Sequence, residues 1–259
     1  MTPHPVTILT GASAGIGLEL ARVFARNGHQ LVLIARRAER LSQLADEFAR
    51  DNYPVPVILP LDLERPGMAE RIDAELSARG LVPQFVVNNA GFGLVGPACE
   101  HDRAEQLRMI DLNIRTLTDF SLHWADDLAR LHGGILNVAS IAGFLPGPGS
   151  AVYYASKAYV LSFTEALHRE LKGRGVRVTA LCPGPVPTEF QARAGLKSND
   201  MPGLLTVSPE QVAQAGYDGL MAGRRLVVPG FANKIVTLLP RLLPRALILN
   251  MIYARFRRR

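Results

Sequence analysis

Cysteine, lysine and tryptophan are scarce in this 259-residue chain, which has two cysteines, four lysines and one tryptophan. Cys99 and Cys182 lack the spacing of a disulfide framework or a zinc site, and the six histidines are dispersed without ligand spacing. The first apolar run begins within six residues of Met1, so we expect no signal peptide. We therefore expect a cytoplasmic protein with reduced cysteines and no metal.

The rest of the composition is typical of a single α/β domain. The chain is 48% hydrophobic and 20% charged, and it contains no repeat or linker. Continuous apolar runs indicate strands that are covered on both faces, as in a parallel sheet. We predict one doubly wound domain, with a mostly parallel seven-stranded sheet and helices on both faces. The strands are predicted at 6–9, 31–35, 55–61, 85–88, 135–140, 176–182 and 226–229.

Tyr153 and Lys157 stand four residues apart in the stretch Tyr-Tyr-Ala-Ser-Lys, so a helix places both side chains on one face. A positive charge beside a phenol favours the phenolate and draws the tyrosine pKa from about 10 toward neutrality. Such a tyrosine can exchange a proton with an oxygen atom near neutral pH. Two unrelated residues on an ordinary helix share this spacing, so the pair alone is a weak signal.

A glycine-rich turn at residues 10–17 follows the first predicted strand directly and precedes a helical pattern. Strand, glycine turn and helix together let a backbone approach a pyrophosphate. The turn has the spacing G-x-x-x-G-x-G, which by itself is structural as often as functional. With Tyr153 and Lys157, the pattern resembles the short-chain dehydrogenase/reductase family, from residue 6 to about 190. The resemblance implies a Rossmann-type fold and an oxidoreductase that uses a nicotinamide cofactor.

The resemblance also implies a catalytic set. Ser140 ends the fifth predicted strand and precedes Tyr153 by thirteen residues, as the family's catalytic serine does. Ser140 is expected to hydrogen-bond the substrate oxygen, and Tyr153 to donate the proton. Lys157 is expected to lower the tyrosine pKa and bind the nicotinamide ribose. Asn113 falls where the family has a helix asparagine that anchors a water of the proton relay.

Cofactor-binding residues are implied at three further places along the chain. The family places an adenine-contacting aspartate at position 62, an Asn-Asn-Ala-Gly signature at 88–91, and a nicotinamide-binding segment at 183–188. The predicted set comprises Gly11, Ser13, Ala14, Gly15, Ile16, Gly17, Arg36, Arg37, Asp62, Leu63, Asn89, Ala90, Gly91, Tyr153, Lys157, Pro183, Gly184, Val186 and Thr188.

The end of the second predicted strand indicates which phosphate state of the cofactor is bound. Folds that prefer NAD place an acidic residue there on the ribose 2′-hydroxyl. This chain has Ala35, followed by Arg36 and Arg37. An uncharged residue removes the repulsion of a 2′-phosphate, and guanidinium groups supply forked donors for it. We predict NADP(H), although two solvated arginines would give the same pattern.

The substrate is less well defined by the sequence. Residues 189–207 lie where the family has a mobile lid, and they include Phe190, Leu196, Met201, Leu204 and Leu205. The resemblance implies hydride transfer between NADP(H) and a carbonyl or secondary alcohol. An apolar lid favours reduction of an apolar ketone or a 3-oxoacyl-type substrate. Small aldehydes or ketones remain alternatives, as does a non-catalytic NADPH-binding regulator. Neither Ser140 nor Ser156 lies in a G-x-S-x-G turn, which argues against a serine hydrolase built on either residue.

Two long helices are predicted at 103–131 and 153–172. In the family the corresponding pair forms a subunit interface, so the resemblance implies a homodimer or homotetramer. A monomer in which the second helix only presents Tyr153 and Lys157 is the alternative.

The C-terminal segment carries all of the excess positive charge. Up to Asp218 the chain has twenty basic and twenty-three acidic residues, and nine basic but no acidic residues follow. We predict a catalytic domain over 1–230 and a basic amphipathic extension over 231–259, with Pro240 and Pro244 at a helix start. The extension suits an anionic membrane surface, an acidic partner or a phosphate-bearing carrier, or it covers the core or a subunit interface. Arginines without interleaved aromatics argue against nucleic acid.

Overall fold

The computed structural model describes residues 3–195 and 203–257, and these residues form one seven-stranded parallel sheet. The order is β3-β2-β1-β4-β5-β6-β7, so the predicted doubly wound α/β fold is confirmed. The chain order reverses beside β1, which is flanked by β2 and β4. The strands are β1 (His4–Thr10), β2 (Leu31–Ala35), β3 (Val57–Pro60), β4 (Leu81–Asn88), β5 (Gly134–Val138), β6 (Arg177–Leu181) and β7 (Leu226–Val227).

Helices cover both faces of the sheet because successive strand residues point to opposite sides. Ile8 belongs to the core cluster beneath α3, α5 and α7, whereas Leu9 belongs to the cluster beneath α1, α2 and α9. The helices are α1 (Gly15–Arg26), α2 (Ala38–Arg50), α3 (Met68–Ser77), α4 (Arg103–Ile110), α5 (Leu117–His123), α6 (Ala125–Arg130), α7 (Ala151–Leu171), α8 (Glu189–Ala194), α9 (Pro209–Met221), α10 (Phe231–Leu242) and α11 (Arg245–Arg257).

The prediction of one helix over 103–131 is wrong. The helix continues from α4 into α5 through a π-helical turn at Asp111–Thr116, and it is interrupted at Trp124, which separates α5 from α6. Trp124 is buried, and its indole Nε1 donates to Asp73 Oδ1 at 3.1 Å, which ties this break to α3. The second predicted helix, 153–172, is observed as α7 with its start two residues earlier.

The C-terminal segment forms two helices that meet at Leu243, where the backbone is extended. Pro240 lies inside the last turn of α10, so its predicted place at a helix start is wrong, while Pro244 directly precedes α11. Within the described residues, no helix is long and apolar enough to cross a membrane. The predicted lid residues Leu196 and Met201 lie outside the described part of the chain.

Candidate active site

The glycine-rich turn brings the start of α1 to the carboxyl end of β1. Gly11 and Gly15 adopt φ values of +69° and +57°, which side chains rarely tolerate. A Cβ at Gly17 would lie 2.2 Å from the Gly11 carbonyl oxygen, so this contact between turn and helix requires glycine. Helix α1 begins after Ala14, and no described side chain accepts a hydrogen bond from its first amides. The first turn of α1 also contains no acidic residue. The first amides of α1 are therefore suited to an anion such as a pyrophosphate.

Asn89 fastens the end of β4 to this turn. Its Nδ2 donates to the carbonyl oxygens of Thr10 at 2.9 Å and Gly11 at 3.2 Å. The hydroxyl of Thr10 accepts from the backbone nitrogens of Asn89 and Ala90, each at 3.0 Å. These bonds hold the ends of β1 and β4 together at the point where the strand order reverses, which is where doubly wound sheets bind ligands.

Tyr153, Lys157 and Ser140 line one pocket, as their sequence positions predicted. Helix α7 presents the first two, and Ser140 follows β5. Lys157 Nζ donates to the Val138 carbonyl oxygen at 2.8 Å and lies 5.9 Å from the centre of the Tyr153 ring. Ser140 Oγ accepts from the Ala142 backbone nitrogen at 3.1 Å, which fixes the hydroxyl at the start of a short 3₁₀ turn.

The titration of this pair differs from the prediction. Burial raises the pKa of Tyr153 to about 12, and a hydrogen bond with Ser140 opposes this rise. Burial also lowers the pKa of the Lys157 ammonium to about 8. This direction is opposite to the predicted fall of the tyrosine pKa toward neutrality, because removal of the phenolate from water is the largest influence on the group. Tyr153 is a phenol at neutral pH, which is the protonation state that a proton donor needs.

Asn113 lies in the π-helical turn and is 1% exposed. Its side chain pairs with the Phe92 backbone: Oδ1 accepts from the nitrogen at 3.1 Å, and Nδ2 donates to the oxygen at 2.9 Å. Nδ2 also donates to Ser156 Oγ at 3.1 Å. A Cβ at Gly91 would lie 2.8 Å from Asn113 Oδ1 and 3.8 Å from Lys157 Nζ. Asn113 thus lies behind the lysine, although it does not line the pocket.

Arg36 and Arg37 extend from the end of β2 and line the same pocket. Arg37 Nη1 donates to Glu189 Oε2 at 2.7 Å, and Nη2 donates to Ser13 Oγ at 3.1 Å. Arg36 Nη1 lies 3.5 Å from Glu64 Oε1, which is a weaker contact. Arg37 therefore joins the glycine-rich turn to the start of α8.

Helix α8 is the first described part of the predicted lid, and residues 203–207 are the second. A Cβ at Gly15 would lie 3.0 Å from Thr188 Cγ2, so the residue before α8 rests on the glycine-rich turn. The Phe190 ring lies 5.6 Å from the Tyr153 ring, centre to centre. Arg193 stacks over Phe92 at 4.2 Å, and burial lowers its pKa. The lid therefore contributes both an aromatic ring and a cation to the pocket.

The pocket has a volume of about 780 Å³ and is lined by all the predicted cofactor residues except Gly17. The far wall of the pocket is formed by α10 and α11, which make up the extension predicted over 231–259. The sequence does not connect this extension with the site. The two apolar faces of α10 are the only hint of this in the sequence. The wall residues are Val236, Leu239, Leu243, Ile248, Met251 and Ile252.

Comparisons with known proteins point to one family. The family model described as short chain dehydrogenase matches residues 5–199. Sulfoacetaldehyde reductase 2 of Chromohalobacter salexigens is 39% identical over 188 residues, covering 71% of this chain and 74% of that protein.

Two solved structures are similar over nearly the whole chain. A short-chain dehydrogenase from Sphingobium yanoikuyae in complex with NADPH has 31% identity and a TM-score of 0.78, covering 97% of this chain and 93% of that one. The bulky-bulky ketone specific alcohol dehydrogenase from Comamonas testosteroni has 25% identity and a TM-score of 0.75, covering 98% of this chain and 93% of that one.

Proposed function

Because the chain belongs to the short-chain dehydrogenase/reductase family of oxidoreductases that act on CH–OH donors, we propose that it reduces an apolar ketone with NADPH. The observation that carries the proposal is one continuous pocket. It begins at the glycine-rich turn, passes Ser140 and Tyr153, and ends at the apolar wall formed by α10 and α11. One end of the pocket suits a dinucleotide and the other suits an apolar substrate.

The residues around Tyr153 can perform the proton chemistry of a reduction. The glycine-rich turn would hold the diphosphate of NADPH, and the segment 183–188 would hold its nicotinamide end. The bound cofactor would supply the hydride. Ser140 would donate a hydrogen bond to the substrate carbonyl oxygen, on which negative charge develops. Tyr153 would give its phenolic proton to that oxygen, and the Lys157 ammonium would stabilise the tyrosinate that remains. Asn113 would support this site through its bonds to Phe92.

A preference for NADPH is supported by the corner formed by Ala35, Arg36 and Arg37. The residue at position 35 is an alanine and carries no carboxylate. Both arginines line the pocket beside it. Glu64 and Glu189 hold the two guanidinium groups at the pocket edge in this structure. A 2′-phosphate would compete with these carboxylates for the same donors. The similar Sphingobium protein was solved with NADPH, which accords with this reading.

A small anionic aldehyde is a second candidate substrate. It is favoured by the identity shared with a sulfoacetaldehyde reductase and by Arg193, a basic residue that lines the pocket. The apolar wall favours the bulky ketone instead, because a small anion would leave that wall in contact with water. We therefore assign the catalytic work to residues 1–230 and the substrate wall to the extension 231–259.

We also infer a homo-oligomer assembled through α4, α5 and α7. These helices expose Leu107, Ile110, Leu122 and Tyr159, with exposed fractions between 38% and 51%. Apolar residues on adjacent helices are typical of a subunit interface. Light scattering should give a dimer or tetramer at micromolar concentration, and a monomer would exclude this assembly.

The proposed function is tested by NADPH oxidation with the purified chain and a panel of carbonyl compounds. The panel should contain a bulky aryl ketone, a steroid ketone, a 3-oxoacyl thioester and sulfoacetaldehyde. We expect the highest kcat/KM with a bulky apolar ketone and a lower value with NADH in place of NADPH. Preferential reduction of sulfoacetaldehyde would support the second candidate, and no turnover with any member would contradict the proposal.

A further inference from the structure

Helix α10 has an apolar stripe that faces away from the pocket. Phe231, Ile235, Leu238 and Leu242 follow at intervals of four, three and four residues, so they lie along one face of the helix. Their exposed fractions are 79%, 49%, 47% and 76%. A row of four such residues on one helix is unusual for a surface that contacts only water.

The opposite face of α10 is fixed to the protein. Asn233 is 1% exposed, and its Nδ2 donates to the carbonyl oxygens of Pro229 at 2.8 Å and Leu205 at 3.0 Å. Val236 and Leu239 on this side line the active-site pocket. The helix therefore presents one apolar face to the pocket and a second one outward, so the outer stripe is not needed for the core.

Basic residues border the outer stripe. Lys234 and Arg241 are exposed, and both lie about 40–60° around the helix from Leu238, on the side away from Ile235. Arg245 is exposed at the start of α11. No acidic residue follows Asp218 in the sequence, so nothing within this segment neutralises the charge. An apolar stripe beside uncompensated cations matches the chemistry of an anionic lipid surface.

We propose that the outer stripe of α10 docks the protein on an anionic membrane. A second copy of the chain is a poorer occupant, because a two-fold contact through this stripe would bring the basic residues of both copies together. The proposal rests on the proposed function, because contact with lipid would serve a reductase of apolar ketones. The same helix would then contact the lipid with one face and an apolar substrate with the other.

Co-sedimentation of the full chain with lipid vesicles tests the proposal without measuring turnover. Vesicles of equal parts phosphatidylglycerol and phosphatidylcholine should bind the protein at low salt, and high salt should reduce binding because it screens exposed charges. Pure phosphatidylcholine vesicles should bind at least about tenfold less. Because binding is measured directly, it can fail while ketone reduction persists, or persist where no ketone is reduced.

Matched variants locate the binding surface. Leu242→Ser should weaken binding on the order of tenfold, since the stripe loses one side chain that would enter the lipid. Val55→Ser, at a residue 57% exposed elsewhere on the surface, should leave binding unchanged. The double variant K234Q/R241Q should also weaken binding on the order of tenfold, whereas R26Q/R71Q, on exposed arginines of α1 and α3, should not. Circular dichroism and thermal unfolding confirm that each variant is folded.

Three results would overturn the proposal. The first is a folded full chain that stays in the supernatant with anionic vesicles at low salt. The second is an equal loss of binding in the V55S or R26Q/R71Q controls. The third is binding to polyglutamate without binding to vesicles, which would assign the surface to an acidic protein instead.

Discussion

The two ends of the pocket are built in different ways. At the β1–β4 end, hydrogen bonds that Asn89 donates and the Thr10 hydroxyl accepts fix the backbone, and positions 11, 15 and 17 require glycine. At the other end, α10 and α11 contribute apolar side chains such as Leu239 and Ile248. Hydrogen bonds demand particular residues at particular distances, whereas apolar contact demands only area and shape.

This difference separates chemistry from substrate choice. The family model covers residues 5–199 and therefore includes Ser140, Tyr153 and Lys157 but not the apolar wall. We infer that the polar end determines the reaction, while the wall determines which ketone is reduced. Substitutions at the polar end should lower turnover for every substrate, and substitutions in the wall should change the ranking of substrates. Of the predictions below, those for Ser140 and Leu239 test that separation directly.

Ser140→Ala should lower kcat by about 10²–10³ for all substrates, because a donor aimed at the developing oxyanion is lost. The binding of NADPH, measured by fluorescence titration, should change little. A control is Ser150→Ala, which also lines the pocket but donates its hydroxyl to the Leu94 carbonyl oxygen at 2.6 Å. A loss of rate for only some substrates would break the proposed separation.

Arg36→Ala/Arg37→Ala should weaken NADPH binding by about 10–100-fold and NADH binding much less, because charge-assisted bonds to the 2′-phosphate are lost. Arg40→Ala is the matched control, since Arg40 Nη2 also pairs with Glu189, at 3.2 Å, but does not line the pocket. It reports any effect of loosening α8 alone. Equal losses for both cofactors would show that the arginines do not recognise the phosphate.

The rate of reduction should fall about tenfold between pH 7 and pH 9. Burial places the pKa of Lys157 at about 8, so the ammonium is present below this pH and is lost above it. Tyr153, with a pKa of about 12, remains protonated over the whole range. Steady-state kcat/KM measured against pH checks this expectation. In Lys157→Arg the side chain stays charged, so the activity that remains should not change between pH 7 and pH 9. A wild-type profile that is flat to pH 9 would contradict the assigned role of the lysine charge.

Leu239→Ala should raise KM for a bulky ketone several-fold and leave a small ketone nearly unaffected, since only the larger substrate reaches this wall. Leu238→Ala, on the outer face of the same helix, is the control and should change neither value. Kinetics with two ketones of different size provide the comparison. If Leu239→Ala lowers kcat equally for both, α10 contributes to the reaction itself and the two ends of the pocket are not separable.

Much of the fold could be predicted because apolar runs bounded by turns mark buried strands well. β2 lies where its apolar run placed it, at Leu31–Ala35. β4 begins at Leu81, four residues before the predicted start, although it contains Pro83. The register between β1 and β4 shifts between Val6 and Thr7, next to the pairing of Val6 with Pro83. Proline cannot donate to a strand ladder, so an irregularity at this point accommodates it.

The site was predicted where residue types are restrictive, and it was missed where they are not. The spacing of Ser140, Tyr153 and Lys157 is visible in the sequence, and the folded chain brings the three residues into one pocket. The pKa of Tyr153 could not be read in the same way, because a sequence shows the neighbouring charge but not the loss of water. The wall was missed because both faces of α10 are apolar, and periodicity alone does not tell which face meets the protein.

The central claim is that Tyr153 gives its proton to a substrate held at the polar end of the pocket. The most direct test compares Tyr153→Phe with the wild type in NADPH binding and in ketone turnover. We predict nearly normal NADPH binding and a loss of turnover of about 10²–10⁴, because Phe keeps the ring beside Phe190 and lacks the hydroxyl. Turnover equal to that of the wild type would contradict the account.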